Sequence, residues 1–278
     1  MRQTPAPVDY SPEAISLLFT DKQGKRLNFD DVVAEGLEPG YEDRIPALRR
    51  LADESSPYER LLAVCMLAAW AQPFGMQQIA DWAEDPHATP WSDAPVVFDR
   101  LYGSDQAFDL MAEALSTSYY VPAAAIESLR DRALDALLRI YHRFYFGSGL
   151  ALALHRSGDR LPRHSPSIRA AVEASLARVA RGERVEFDLP VQTALLLGPL
   201  RNLGEDTLVA QYANRILDIH RLVSFRALRE LASQLGSARG PETLAALHRM
   251  AGLGREDAEP FLSRALERRS AQEAASGV

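Results

Sequence analysis

The residues with the chemical capacity for catalysis or metal binding are scattered. The six histidines, His87, His142, His155, His164, His220 and His248, include no pair at the i, i+4 spacing of an HExxH zinc helix. Asp218 and His220 are close in sequence, but two positions apart on a helix they face different ways and form no dyad. Cys65 is the only cysteine, which excludes an intramolecular disulfide and a multi-cysteine metal site. It lies on an apolar helix face, where a free thiol behaves as a small buried hydrophobe. Gly147-Ser148-Gly149 has the look of a phosphate loop, but it follows a helix and no Gly-Lys-Ser/Thr comes after it. It reads as a helix terminator. No cofactor, metal or catalytic residue is assigned.

Charge is more informative. The 278 residues carry a net −7, unevenly spread. Residues 1–113 hold 20 acidic and 9 basic side chains, whereas residues 114–278 hold 18 and 22. Within 81–113, eight acids (Asp81, Glu84, Asp85, Asp93, Asp99, Asp105, Asp109 and Glu113) face Arg100 alone. All three tryptophans, Trp70, Trp82 and Trp91, fall between residues 70 and 91, and Phe98, Tyr102 and Phe108 follow. Aromatic anchors ringed by charge have the composition of a protein-binding hot spot, and a dense acidic field speeds capture of a basic partner. The contact residues expected on this ground are Asp81, Trp82, Glu84, Asp85, Trp91, Asp93, Asp99, Tyr102 and Asp105. The competing reading places Trp70 and Trp82 in a helical core and leaves the acids to solubilise a loop; Trp70 fits it best.

The elements that must position this segment are helical. Residues 57–84 read as a helix, a break at Pro73-Phe74-Gly75 and a second helix, with Leu61, Leu62, Cys65, Ala68 and Ala69 on one face of the first. Pro57 suits a first helical position. Ser11 and Asn28 are N-caps for short helices before it, and Ile45, Leu48 and Leu51 line another over 41–53. Residues 85–105 lack helical periodicity, and a loop that long is often functional; within it, Val96 to Phe98 reads as a short extended run. Helical spacing returns at Gln106–Leu115 and then over a long stretch from Val121 to Phe146 that Gly147 and Gly149 close. Residues 165–180 form another helix. Helix pairs follow at 190–220, with a kink at Pro199 and a turn at Gly204, and at 222–251, with Pro241 opening the second member. A last helix spans 255–269. Residues 1–10 and 271–278 read as disordered, and the C-terminal half shows no β-hairpin signal.

The fold class is therefore all-α, one helical domain over 1–278 with a subdivision into an acidic 1–120 and a helical-repeat 121–278. Pro57 with Leu61, Leu62 and Ala68, Pro190 with Leu195 to Leu197, and Leu228, Leu231 and Leu235 with Leu244 and Leu247 carry a resemblance to HEAT and armadillo α-solenoids over about half of the chain. An irregular helical bundle is the structural alternative.

The longest apolar run, Leu61 to Ala71, is 11 residues, short of the ~20 that span a bilayer, and the N-terminus has no apolar signal region. The expectation is a cytoplasmic protein with no membrane partner. Interspersed acids and bases after residue 114 look like a solvated surface, not a phosphate-tracking one. Some HEAT-like solenoids are DNA glycosylases with a basic groove, to which 130–139 and 265–269 could contribute; this, or a repeat adaptor in a larger complex, is the alternative function. The leading expectation is a non-enzymatic protein-binding module with a basic protein partner. Small acidic helical-repeat chains resemble bacterial immunity proteins, and that resemblance implies a toxin domain as the partner.

Overall fold

The computed structural model describes residues 9–92, 105–219 and 222–276. Its described residues are helical, with an isolated antiparallel bridge between Thr20 and Arg26 and no strand. None of their helices is long and apolar enough to cross a membrane. The chain divides into two compact units, residues 1–140 and 141–278.

The first unit comprises α1 (Pro12–Leu18), α2 (Phe29–Glu35), α3 (Ile45–Glu54), α4 (Pro57–Ala69), α5 (Pro73–Glu84), α6 (Ala107–Ser118) and α7 (Glu127–Ile140). Its organising element is α4, where every residue from Leu61 to Ala69 is buried. A helix apolar all round must be covered all round, and α3, α5 and α6 each pack along it. Ser56 and Glu59 form a capping box at its start, with Pro57 at the first position. The Glu59 carboxylate accepts from Ser56 N and Oγ and also from Ser11 N, the N-cap of α1. One buried carboxylate thus ties two helix starts together. Asn28 caps α2 as its type predicts.

The turn after α4 differs from the expected break. The chain reverses at Ala71, a non-glycine residue with φ of 57°, and Pro73 opens α5 instead of ending α4. Proline serves there because a first-turn N–H needs no partner. Gly75 then lies inside α5, where a Cβ would come within 2.4 Å of Ala68 N, so α4 and α5 touch backbone to backbone. Trp70 belongs to the core: its indole covers Gly36, and Nε1 donates to Val33 O at 3.0 Å.

The second unit comprises α8 (Gly149–Arg156), α9 (Leu161–Ala180), α10 (Leu189–Leu195), α11 (Leu197–Asn202), α12 (Asp206–Asp218), α13 (Phe225–Ser237), α14 (Pro241–Ala251) and α15 (Glu259–Ser276). Pro199 lacks the N–H that Leu195 O would accept, and the helix breaks at Leu196 into α10 and α11. Gly204, at φ 75°, turns the chain into α12, and Gly240, at φ 91°, precedes Pro241 at the start of α14. Alternate helices stack: α10 lies on α13 and α13 on α15, while α12 lies on α14.

Other boundaries depart from expectation too: α9 begins at Leu161, not at 165, and α15 at Glu259, not at 255. The long helix over 121–146 begins with a 3₁₀ turn and ends at Ile140, because Tyr141 to Phe146 form other hydrogen bonds, described below. Gly149 opens α8 instead of closing its predecessor. The stretch 271–276, expected to be loose, continues α15; its alanines are strong helix formers. The run Val96–Phe98 lies outside the described residues.

Candidate functional site

The acidic, aromatic segment is launched from the C-terminal end of α5. Successive residues on a helix point in different directions, so its aromatic and acidic members separate at once. Trp82 turns inward and is 4% exposed. Trp91 folds back after a 3₁₀ turn over Pro86–Ala88 and is 7% exposed. The two indoles meet edge to face at 4.9 Å and 83°, and Trp91 meets Phe108 of α6 at 6.3 Å. This is the geometry that ring quadrupoles favour. Both tryptophans are part of the unit's core, and their rings are covered by the protein itself.

Asp81 and Glu84 point outward, onto α7. Arg132 is bidentate to Glu84, with Nε and Nη2 at 3.1 and 2.5 Å, and its Nη2 also reaches Asp81 Oδ1 at 2.9 Å. Arg139 adds a contact to Glu84 at 3.2 Å, and Gln77 donates to Asp81. The hydrogen bonds from Arg132 hold the Glu84 carboxyl below the usual carboxylate range. These two acids are already neutralised, and the bases that neutralise them are those of the 130–139 run. Arg130 of the same run is buried and donates to Ser118 and Val121 carbonyls.

Asp85 is exposed and caps the 3₁₀ turn by accepting from His87 N. Asp105 accepts from Ala107 N at the start of α6, and burial raises its pKa against that bond. Asp93, Asp99 and Tyr102 lie outside the described residues.

An acidic patch that the sequence does not single out lies on α2 and α6. Asp109 and Glu113, one helical turn apart, share a face of α6, and Asp30 of α2 lies near enough to repel Glu113. Burial, then repulsion from Asp109 and Asp30, pushes the Glu113 carboxyl up to about 7, although the residue as a whole is exposed. Glu113 accepts no hydrogen bond or ion pair among the described residues. Its spacing to Asp109 was visible in the sequence; the approach of Asp30 was not.

Elsewhere the candidate reactive groups are structural. Cys65 is buried, and burial raises its thiol pKa. Asp218 pairs with Arg249 at 2.6 Å, and His220 lies outside the described residues. Among the described residues no group of three or more His, Cys, Asp or Glu side chains is placed to hold a metal. Sequence reasoning also missed a groove between α13 and α15, lined by Arg229, Ser233, Phe261, Arg264 and Arg268. Its signal was the i, i+3, i+7 spacing of Phe261, Arg264 and Arg268.

An all-α architecture in two helical units is the class these features define. In comparisons with known proteins the chain matches no family model, no curated protein and no solved structure.

Proposed function

We propose that this chain is a non-enzymatic protein-binding module of the helical-repeat type, whose first unit presents an acidic face to a partner with a basic surface. The carrying observation is the patch of Asp30, Asp109 and Glu113, where burial, then repulsion from Asp109 and Asp30, pushes the Glu113 carboxyl up to about 7. Holding such charges together without a base on Glu113 works against folding, and a cationic partner relieves it. The buried tryptophans and the acids clasped by Arg132 contribute to the scaffold of the first unit. The alternating order of α10, α13 and α15 against α12 and α14 supports the HEAT-like reading of the second unit. In its finer form the proposal is a cytoplasmic immunity protein that masks a basic toxin domain.

The test uses the purified chain and the product of the neighbouring gene as the candidate partner. Association measured in real time should slow as salt is raised, and the triple variant Asp30→Asn, Asp109→Asn, Glu113→Gln should slow it about tenfold at low salt. Asp85→Asn, Asp93→Asn and Asp99→Asn extend the test to the segment after α5. If neither set alters the association rate or its salt dependence, the acidic-face reading fails. Rescue of cells expressing the partner gene would support the immunity form.

A further inference from the structure

In the second unit, α13 and α15 approach closely at Gly236, where a Cβ would come within 2.8 Å of the Ala265 Cβ. On one side of this crossing an open groove of about 230 Å³ is lined by Arg229, Glu230 and Ser233 of α13 and by Phe261, Arg264, Ala265 and Arg268 of α15. Three arginines therefore line one small space with a single acidic residue. Glu230 is turned to another task, accepting from Gln234 Nε2 at 2.6 Å. Arg229 lies over the Phe261 ring at 5.9 Å, and Arg268 donates to Ser237 Oγ at 2.9 Å. Arg264 forms neither a hydrogen bond nor an ion pair among the described residues. Arg201 adds a fourth cation nearby: burial lowers its pKa, with Asp206 and Glu230 opposing and Arg268 adding to the effect, and it donates to Gln234 Oε1 at 3.1 Å.

This grouping runs against the habit of the chain. Arg132, Arg169, Arg215, Arg249 and Arg255 each meet a carboxylate at 2.5 to 2.7 Å. In a protein of net −7, three arginines that line one groove with Glu230 as the one acid among them repel one another. A carboxylate offers two oxygens, which one guanidinium fork satisfies, whereas a phosphate offers enough oxygens for several forks at once. The volume is below the ~300 Å³ at which drug-sized sites begin, so the occupant is small. Phe261 supplies an apolar wall and Ser233 a hydroxyl donor.

We infer that the α13/α15 groove binds the phosphate group of a small ligand, with Arg229, Arg264 and Arg268 as its anion-binding residues. This inference is independent of the acidic-face reading. The experiment is calorimetric titration of the full chain at low ionic strength with phenyl phosphate, inorganic phosphate and benzoate, plus a duplex oligonucleotide. Saturable binding of a phosphate probe, tighter than benzoate, is expected, and Arg264→Gln and Arg229→Gln should each weaken it about tenfold. Arg184→Gln, an exposed arginine outside the groove, should leave it unchanged. Arg264 has no partner to lose, so its variant should keep the wild-type circular dichroism and melting temperature. Tighter binding of phenyl phosphate than of inorganic phosphate identifies a phosphomonoester; equal binding identifies the free ion. The inference is overturned if no phosphate probe saturates, if benzoate binds equally well, if both arginine variants bind as the wild type does, or if the duplex binds more tightly than the small phosphates at physiological salt.

Discussion

Tyr141 and Gln192, 51 residues apart, hold each other's backbone: Tyr141 Oη donates to Gln192 O at 2.6 Å, and Gln192 Nε2 donates to Tyr141 O at 2.5 Å. Gln192 Nε2 also reaches Phe144 O, and its Oε1 accepts from Phe146 N at 2.9 Å. One buried amide thus satisfies the peptide groups of a non-helical segment, as buried backbone requires. Gln192→Ala should leave several buried groups without partners and destabilise the chain by about 2–4 kcal/mol. Tyr141→Phe should cost about 1–2 kcal/mol, since it removes only one donor. Urea denaturation measures both, and hydrogen exchange at Phe146 N should accelerate in Gln192→Ala. Wild-type protection there would contradict the assigned role.

Trp91 is the keystone of the segment that follows α5. Its ring lies between Trp82 and Phe108, so truncation opens a cavity between α5 and α6. Trp91→Ala should cost about 3–5 kcal/mol, and Trp91→Phe clearly less. Denaturant midpoints decide it. If Trp91→Ala were as stable as the wild type, the indole would not be a core group.

The clasp of Arg132 on Glu84 predicts a modest pH effect. Because the folded-state carboxyl titrates below the unfolded value, its contribution is present above about pH 4.5 and is lost as pH falls through the folded value. The groups are partly exposed, so Glu84→Gln should cost only about 0.5–1 kcal/mol at pH 7. The gap between variant and wild type should close as pH falls through the folded value. High salt should narrow it too. Thermal melts at paired pH and salt values check this, and a gap independent of pH would exclude the ion pair as its source.

How far the sequence carries depends on range. The helix α4 was legible because an unbroken apolar run with Pro57 before it permits little else. Its end was misjudged because Pro73 and Gly75 signal a break only by residue type, while Ala71 bears the positive φ that makes the turn. The end of α7 could not be read locally, since Gln192 sets it from another helix. The same limit governs the candidate site. A window of eight acids looks like a field, yet two of them are taken by Arg132 and Arg139, and Glu113 is shifted by burial, then by Asp109 and by Asp30 from far upstream. Whether a tryptophan is an anchor or core depends on what folds over it; for Trp91 that is Phe108.

His142 provides a pH dependence of the opposite cause. Burial, then the cations of Arg178 and Arg143, lower its pKa, with Glu183 opposing and Arg181 adding to the effect. Its Nδ1 is buried without a hydrogen-bond partner. A histidine held neutral in the folded state contributes no penalty above about pH 6.5, and its cost grows as pH falls toward the folded value because the unfolded chain binds the proton more readily. Wild-type stability should therefore fall, relative to His142→Gln, between pH 7 and 5. The Arg178 contact is to the His142 carbonyl at 2.6 Å and survives the substitution. Glu113 acts in the same window with the other sign, since protonation relieves the burial of its charge and then its repulsion from Asp109 and Asp30. It is common to both proteins and cancels in the difference. Urea midpoints of the pair at pH 7 and 5 are the measurement, and parallel changes in the two would show that His142 carries no such penalty.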